Sequence, residues 1–365
     1  MKKLKKKTKP TAIDLFCGCG GFAKGFLDAG YRIILGVDND EPSLKTFEKN
    51  IRGSQILKAD LSKPWVMRNI EKIVKGRSID VIIAGPPCQG FSLTGPRKFH
   101  DKRNTLYKTV WRAVRKFSPK AFLIENVPGI ASLYKGIVKE EIRKSFEALG
   151  YNVEGPEILN AADYGVPQVR KRAFFVGLKP KFGKFTFPSK TNSPNTYITC
   201  GEAISDLPGR EKELELEIDE YTSSPKTKYQ RLMRKNCKVL YNHVATNHTE
   251  MVKKIISLVP EGKNYKSLPP GIGESRRFNE AWTRYDRRKP SKTIDTGHRN
   301  HFHYKYNRVP TVRENARLQS FPDSFIFCGT KTSQYKQVGN SVPPLLSYSL
   351  AKKLLLYIIR DENKQ

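Results

Sequence analysis

The chain has 365 residues, 38% of them apolar, which is enough for two domains or for one large domain with an insertion. Lysine and arginine outnumber aspartate and glutamate by 67 to 35, a formal charge of +32 that points to a polyanionic partner, most commonly nucleic acid. No stretch approaches the ~18 apolar residues of a membrane span, and the 6 cysteines form no Cys-x-x-Cys pair, so no metal site is read.

Residues 1–10 read as a basic, disordered tail, and the body stays strongly basic without them. The run lacks the apolar core of a secretory signal, so a cytoplasmic, reducing location with free thiols is expected. Residues 11–15 form a predicted strand that ends in a glycine turn, with a helix over 21–29 behind it. A second strand and helix follow at 32–37 and 42–50, and a short third strand at 56–58 leads to Asp60. Residues 79–84 are a strongly apolar strand that stops at Gly85-Pro86-Pro87. A helix over 104–116, a strand over 121–124 and a helix over 138–149 complete the alternation. Strands and helices alternating at this spacing predict a parallel sheet covered on both faces, with ligands outside the strand carboxyl ends. From about residue 179 to 295 periodicity fades and Pro, Gly, Ser and Thr become frequent, which predicts an irregular second domain. Helices return at 311–319, with Leu318 facing inward, and at 344–359.

The segments after the strand ends carry the chemistry. The first turn is Asp14-Leu15-Phe16-Cys17-Gly18-Cys19-Gly20-Gly21-Phe22, whose glycines allow close approach of backbone and helix amides to a ligand. A plain tight turn would look the same, and the spacing departs from the G-x-G-x-x-G of nicotinamide-binding folds. Asp38 ends the second strand, where an acid commonly holds ribose hydroxyls. Asp60 follows the third strand, within reach of an adenine amino group. Either acid alone could be an ordinary loop carboxylate; three successive strand ends suggest an adenosine-containing cofactor.

The fourth strand leads into Gly85-Pro86-Pro87-Cys88-Gln89-Gly90-Phe91-Ser92. A lone cysteine is usually a small buried hydrophobe. Here two prolines stiffen the strand exit and hold Cys88 at the ligand edge, where a cation or dipole can raise its thiolate fraction. The Pro-Pro-Cys-Gln run resembles the nucleophile motif of the DNA (cytosine-5)-methyltransferases, bacterial restriction-modification type. Glu125-Asn126-Val127, Gln168-Val169-Arg170-Lys171-Arg172 and Gly339-Asn340-Ser341-Val342 resemble further motifs of that family, in the family's order. The likeness covers roughly residues 11–180 and 285–360.

The resemblance implies an α/β, Rossmann-like S-adenosylmethionine-dependent sheet with a smaller irregular target-recognition domain. The expected division is 11–185 for catalysis and cofactor, 186–307 for target recognition, 308–336 as a hinge and 337–365 returning to the catalytic domain. It implies S-adenosyl-L-methionine held by Phe16, Gly18, Gly20, Gly21, Asp38, Asn39, Asp60, Leu61, Pro87, Asn340 and Val342. Cys88 would attack C6 of a flipped-out cytosine, the usual gain of covalent catalysis, and Glu125 would share a proton with N3. Arg170 and Arg172 would hold the base carbonyl or nearby phosphates. Alternatives stay open for each: Glu125 could simply pair with the arginines, and their alternate spacing also fits a solvated strand face. Gln89, Ser92, Arg97 and Arg103 would contact double-stranded DNA from a mobile basic loop, although a merely exposed loop has the same composition.

In the second domain Arg276-Arg277, Arg284, Tyr285 and Arg287-Arg288-Lys289 offer phosphate contacts and aromatic surface, with Arg287 and Arg288 the candidates singled out. His243, His248, His298, His301 and His303 lack matched cysteines or acids and read as polar loop residues or DNA contacts. A monomer with a cognate restriction endonuclease, acting in the nucleoid, is the implied setting. Three rivals remain. An amino-group DNA methyltransferase would place an aromatic where Cys88 stands. A transfer-RNA cytosine-5 methyltransferase would carry a Cys-Phe-Thr signature that is absent here. A non-catalytic binding protein would not need Cys88 and Glu125.

Overall fold

The computed structural model describes residues 9–87, 106–210, 217–276, 279–297 and 300–359. It divides into two compact units: residues 1–159, 171–189 and 347–365 form the first, and residues 160–170 and 190–346 the second. The expected hinge at 308–336 and the stretch 337–346 thus lie in the second unit, as do residues 160–170, which include the first three residues of the arginine motif.

The first unit is built on a seven-stranded sheet in the order β3-β2-β1-β4-β5-β7-β6. Its strands are β1 (Thr11–Leu15), β2 (Arg32–Asp38), β3 (Gln55–Lys58), β4 (Val81–Ala84), β5 (Ala121–Asn126), β6 (Asn152–Asn160) and β7 (Lys171–Leu178). Neighbours from β3 to β5 pair in parallel, and β7 runs antiparallel to β5. The predicted parallel sheet is therefore mixed. Val81, Ile82, Ile83 and Ala84 are wholly buried, the pattern of a strand covered on both faces. The order reverses between β1 and β4, the switch point at which a doubly wound sheet leaves a crevice for ligands.

Helices α1 (Gly21–Asp28), α2 (Glu41–Asn50), α3 (Val66–Val74), α4 (Tyr107–Phe117) and α5 (Ile137–Glu147) link the strands. The α2 start is set by Asp40, whose carboxylate accepts from the Ser43 N–H, with Pro42 in the first turn. Helix α3, absent from the sequence reading, buries Val66, Met67, Ile70 and Val74 along one stripe.

In the second unit α6 (Cys200–Ile204), α7 (Lys228–Met233), α8 (Glu250–Leu258), α9 (Val312–Leu318) and α10 (Lys331–Asn340) accompany two-stranded pairs. The pairs join β8 (Ile218–Asp219) with β9 (Leu240–Tyr241), and β10 (Thr283–Arg284) with β11 (His301–Phe302). Every residue of α9 is buried, and its start is a capping box between Thr311 and Glu314. Arg317 lies at its end, bonded to Asp323 through Nε (2.8 Å) and Nη2 (2.7 Å) and to Asp206 through Nη1 (2.6 Å).

The final helix, α11 (Pro344–Ile358), begins in the second unit and ends in the first. There the Ser347 hydroxyl donates to the Phe22 carbonyl (2.6 Å) and the Tyr31 hydroxyl to the Ala351 carbonyl (3.2 Å).

Candidate active site

The β1–α1 turn is held open by backbone conformation. Phe16 and Gly18 have positive φ, and Gly20, at φ 95°, caps α1. A side chain on Gly20 would also meet the Phe47 ring at 2.9 Å, so both φ and space select glycine. Asp38, at the end of β2, reaches this turn: one oxygen accepts the Gly18 N–H at 2.8 Å. Its other oxygen takes the N–H groups of Asn39 (2.8 Å) and Asp40 (3.0 Å). Phe16, Gly18, Gly20, Gly21, Asp38 and Asn39 thus belong to one local constellation.

Asp60 lies exposed after β3, and the Ser62 hydroxyl and N–H hold its carboxyl below the ordinary carboxylate range. Leu61 beside it is buried, its carbonyl accepting from the Thr109 hydroxyl of α4 at 2.9 Å.

In the sequence Asp14 is simply the first residue of the turn motif. In the structure it is buried, and neither carboxylate oxygen has a partner at hydrogen-bond geometry. Burial, and then the negative charge of Asp38, push its carboxyl well above the ordinary value; the nearby Ala23 N–H offsets only part of this. An orphaned buried acid fits a ligand that brings positive charge, as the sulfonium and ammonium groups of S-adenosylmethionine would. Burial and then the neighbouring Asp14 raise the Cys17 thiol well above the ordinary value, which disfavours its thiolate.

The β4 exit contributes Gly85, buried to an intermediate degree, and exposed Pro87. Cys88, Gln89, Ser92, Arg97 and Arg103 lie outside the described residues. Glu125, one strand over on β5, has a carboxylate oxygen 3.5 Å from where a Cβ on Gly85 would sit. The acid therefore stands beside the exit that leads to Cys88. Its other carboxylate oxygen meets Arg172 Nε at 3.0 Å, with the two side chains 16% and 13% exposed. Burial lowers the Arg172 guanidinium pKa, while the charge of Glu125 opposes that shift.

The two arginines of the Gln168–Arg172 motif part company. Arg170 turns into the second unit, fully buried, where its guanidinium donates to the carbonyls of Ile294 (3.1 Å) and Gly339 (2.8 Å). Gln168 accepts the Ile294 N–H at 3.0 Å and donates to Gln319, which in turn donates to the Ser341 carbonyl at 2.7 Å. A side chain on Gly339 would meet the Asp295 carbonyl at 2.0 Å, so close backbone approach explains that glycine. The solvated strand face that alternate spacing allowed is not found: Arg170 is buried and Arg172 nearly so. Asn340 is exposed at the end of α10 and Val342 is buried; both belong to the second unit.

Several second-domain expectations are corrected. Arg284 is buried and donates to the Ile256 and His303 carbonyls and to Asn307, so it offers no phosphate contact. Tyr285 is also buried and stacks on His301 at 5.4 Å. His303 Nδ1 accepts the N–H groups of Lys305 and Tyr306, and burial pushes its pKa down to about 3, so it is a neutral interior group. His243 is buried between Thr311 and the Pro208 carbonyl. Arg287 and Arg288 do reach the surface, paired with Glu261 and Asp286. Sequence reasoning also missed the buried charges Arg313, Glu314 and Arg317 of α9. Among the described residues no group of three or more His, Cys, Asp or Glu side chains could hold a metal ion. None of the described helices is long and apolar enough to cross a membrane.

A comparison with known families places this geometry. The model of the C-5 cytosine-specific DNA methylases matches residues 11–356. The chain belongs to that family. Type II methyltransferase M.DdeI of Desulfomicrobium norvegicum is 38% identical over 96% of this methylase and 91% of its own length. Type II methyltransferase M1.HphI of Haemophilus parahaemolyticus is 38% identical over 94% and 86%. Among solved structures, a DNA modification methyltransferase encoded within an E. coli prophage gives a TM-score of 0.79 at 27% identity, covering 96% of this chain and 99% of that one. The S. pombe Dnmt2 methyltransferase gives 0.57 at 16% identity, over 98% and 100%, a likeness of fold alone. Family and fold imply the use of S-adenosylmethionine.

Proposed function

We propose that this methylase transfers a methyl group from S-adenosylmethionine to C5 of a cytosine flipped out of a specific double-stranded DNA sequence. The setting is a restriction-modification system, in which the mark protects host DNA from a cognate endonuclease. We take the chain to act as a monomer at the nucleoid. The observation that carries the reading is the Glu125 carboxylate beside the Gly85-Pro86-Pro87 exit, paired with Arg172.

In this reading the cofactor's ribose, adenine and cationic ends fall to Asp38, Asp60 with Leu61, and Asp14 respectively. Phe16, Gly18, Gly20, Gly21, Asn39 and Pro87 shape its cradle. Asn340 and Val342 keep their assignment from the family motif. Bound there, S-adenosylmethionine supplies an electrophilic methyl group.

Cys88, as thiolate, bonds to cytosine C6, and the C5–C6 π pair shifts onto C5 and, through C4, onto N3. Glu125 shares a proton with N3 and so relieves the negative charge that develops there. Arg172 fixes the orientation of Glu125 and adds positive charge at the ring edge. Once C5 carries the methyl group, its proton leaves to a base, water sufficing, and the returning electron pair expels the Cys88 sulfur. Arg170, engaged with two carbonyls, becomes a positioning residue rather than a base contact. Gln89, Ser92, Arg97, Arg103, Arg287 and Arg288 remain the proposed DNA contacts.

Purified protein given methyl-labelled S-adenosylmethionine with duplex DNA and with transfer RNA tests the substrate. Label is expected in duplex DNA. Label in transfer RNA alone would overturn the reading.

A further inference from the structure

The proposed chemistry uses the carboxyl ends of the strands; the amino ends form the opposite edge of the same sheet. Several cations meet on that opposite edge although they are far apart in sequence. Backbone contacts fix the neighbours: Arg32 N–H donates to the Pro10 carbonyl (2.8 Å), the Thr11 hydroxyl to the Ser78 carbonyl (2.5 Å), and Lys179 N–H to the Lys120 carbonyl (3.0 Å). Asn152 donates to the Gly183 carbonyl at 3.1 Å. Lys9, Arg32, Lys75, Arg77 and Lys184 are exposed along this edge, and Lys179 is partly so.

Acids reaching the central part of the edge are already engaged. Asp80 meets Lys120 at 3.0 Å, Glu71 meets Lys116 at 2.7 Å, and Asp28 meets Lys24. Helix dipoles explain some of the pattern, because Lys75, Arg115 and Lys116 lie at the carboxyl ends of α3 and α4. They do not explain Lys9, Arg32, Arg77, Lys179 and Lys184, which sit at strand ends and turns.

We propose that this edge is a second, sequence-independent contact surface for duplex DNA. From β2 across β1, β4 and β5 to β7 are four strand spacings, about 19 Å at ~4.8 Å each. Such a row spans about five or six base-pair steps of a duplex, each rising about 3.4 Å along the axis. The edge lies the length of a strand from the catalytic ends, about 17 Å for the five residues of β1. A duplex segment bound here is therefore additional to the one that presents the cytosine. On long DNA that second segment is tethered to the first, so even a weak contact is filled at high effective concentration. The proposal does not depend on the roles of Cys88 or Glu125.

The test compares two full-length variants of equal charge. One carries Lys75→Glu, Arg77→Glu, Lys179→Glu and Lys184→Glu. The other reverses four exposed lysines elsewhere: Lys45→Glu, Lys235→Glu, Lys238→Glu and Lys352→Glu. Binding to a cytosine-free dA·dT duplex is followed by anisotropy over a salt series. The edge variant should lose at least tenfold in affinity, and its log–log salt slope should shrink by about 3 to 4; the matched variant should lose less than about threefold. Equal losses in the two variants would overturn the proposal. So would tighter binding of polyglutamate or single-stranded RNA than of duplex, abolished by the same edge reversals. If the quadruple variant does not fold, Arg77→Glu and Lys184→Glu read the same slope singly, in steps of about 1.

Discussion

Glu125 and Arg172 restrain each other next to the β4 exit, and each loses something different without the other. Arg172→Lys keeps the charge but not the planar fork that meets the carboxylate through Nε. Methyl transfer by this variant should fall about 10²–10³-fold in kcat, the usual cost of removing one preorganised charge stabiliser. Binding of S-adenosylmethionine, measured by calorimetry, should change little. Equal losses of cofactor affinity and rate would place Arg172 in the cofactor cradle instead. At this scale the sequence was partly legible. Glu125 could be chosen because it ends a strand one place from Cys88. Arg170 and Arg172 looked equivalent, since i, i+2 spacing assigns them one face; tertiary contacts with Ile294 and Gly339 separate them. The isolation of Asp14 could not be read, because being without a partner is a property of three-dimensional surroundings.

Helix α9 shows what a local pattern hides. Its position was legible from the polar start and the inward Leu318. Its charges were not, because arginine and glutamate on a helix ordinarily face water. Here Arg317 is wholly buried between Asp206 and Asp323, and Arg308 is buried against Glu314 at 2.7 Å. Arg317→Met removes the cation shared by Asp206 and Asp323, leaving Asp206 with Arg234 at 3.2 Å and Asp323 with the more distant Arg313 at 4.0 Å. The second unit should lose about 3–5 kcal/mol of stability, the cost of breaking a buried pair from one side. Thermal unfolding followed by tryptophan fluorescence in a Trp65→Phe, Trp111→Phe background, which leaves Trp282 of that unit, would register the loss. An unchanged midpoint would mean that the cluster relaxes into water. Helix α3 was missed because Pro64 and Trp65 interrupt the approach to a short apolar stripe. Strands β6 and β7 were missed because no α-helix separates them to continue the strand–helix alternation.

At the scale of the whole molecule, legibility follows regularity. The first unit repeats strand, turn and helix, so its period can be counted and its ligand edge located from sequence alone. The second unit, as described, holds only short helices and two-residue strands, and its interior depends on side-chain networks with no sequence period. Motif order supplied what periodicity could not. The proposed mechanism makes one chemical demand, that the sulfur of Cys88 bond to the target base. The most direct measurement incubates the enzyme and S-adenosylmethionine with duplex DNA containing 5-fluorocytosine, followed by denaturing electrophoresis. Fluorine at C5 prevents the final elimination, so wild-type protein should run as a stable DNA adduct while Cys88→Ser runs free. An adduct of equal yield in both would show that another group attacks the ring.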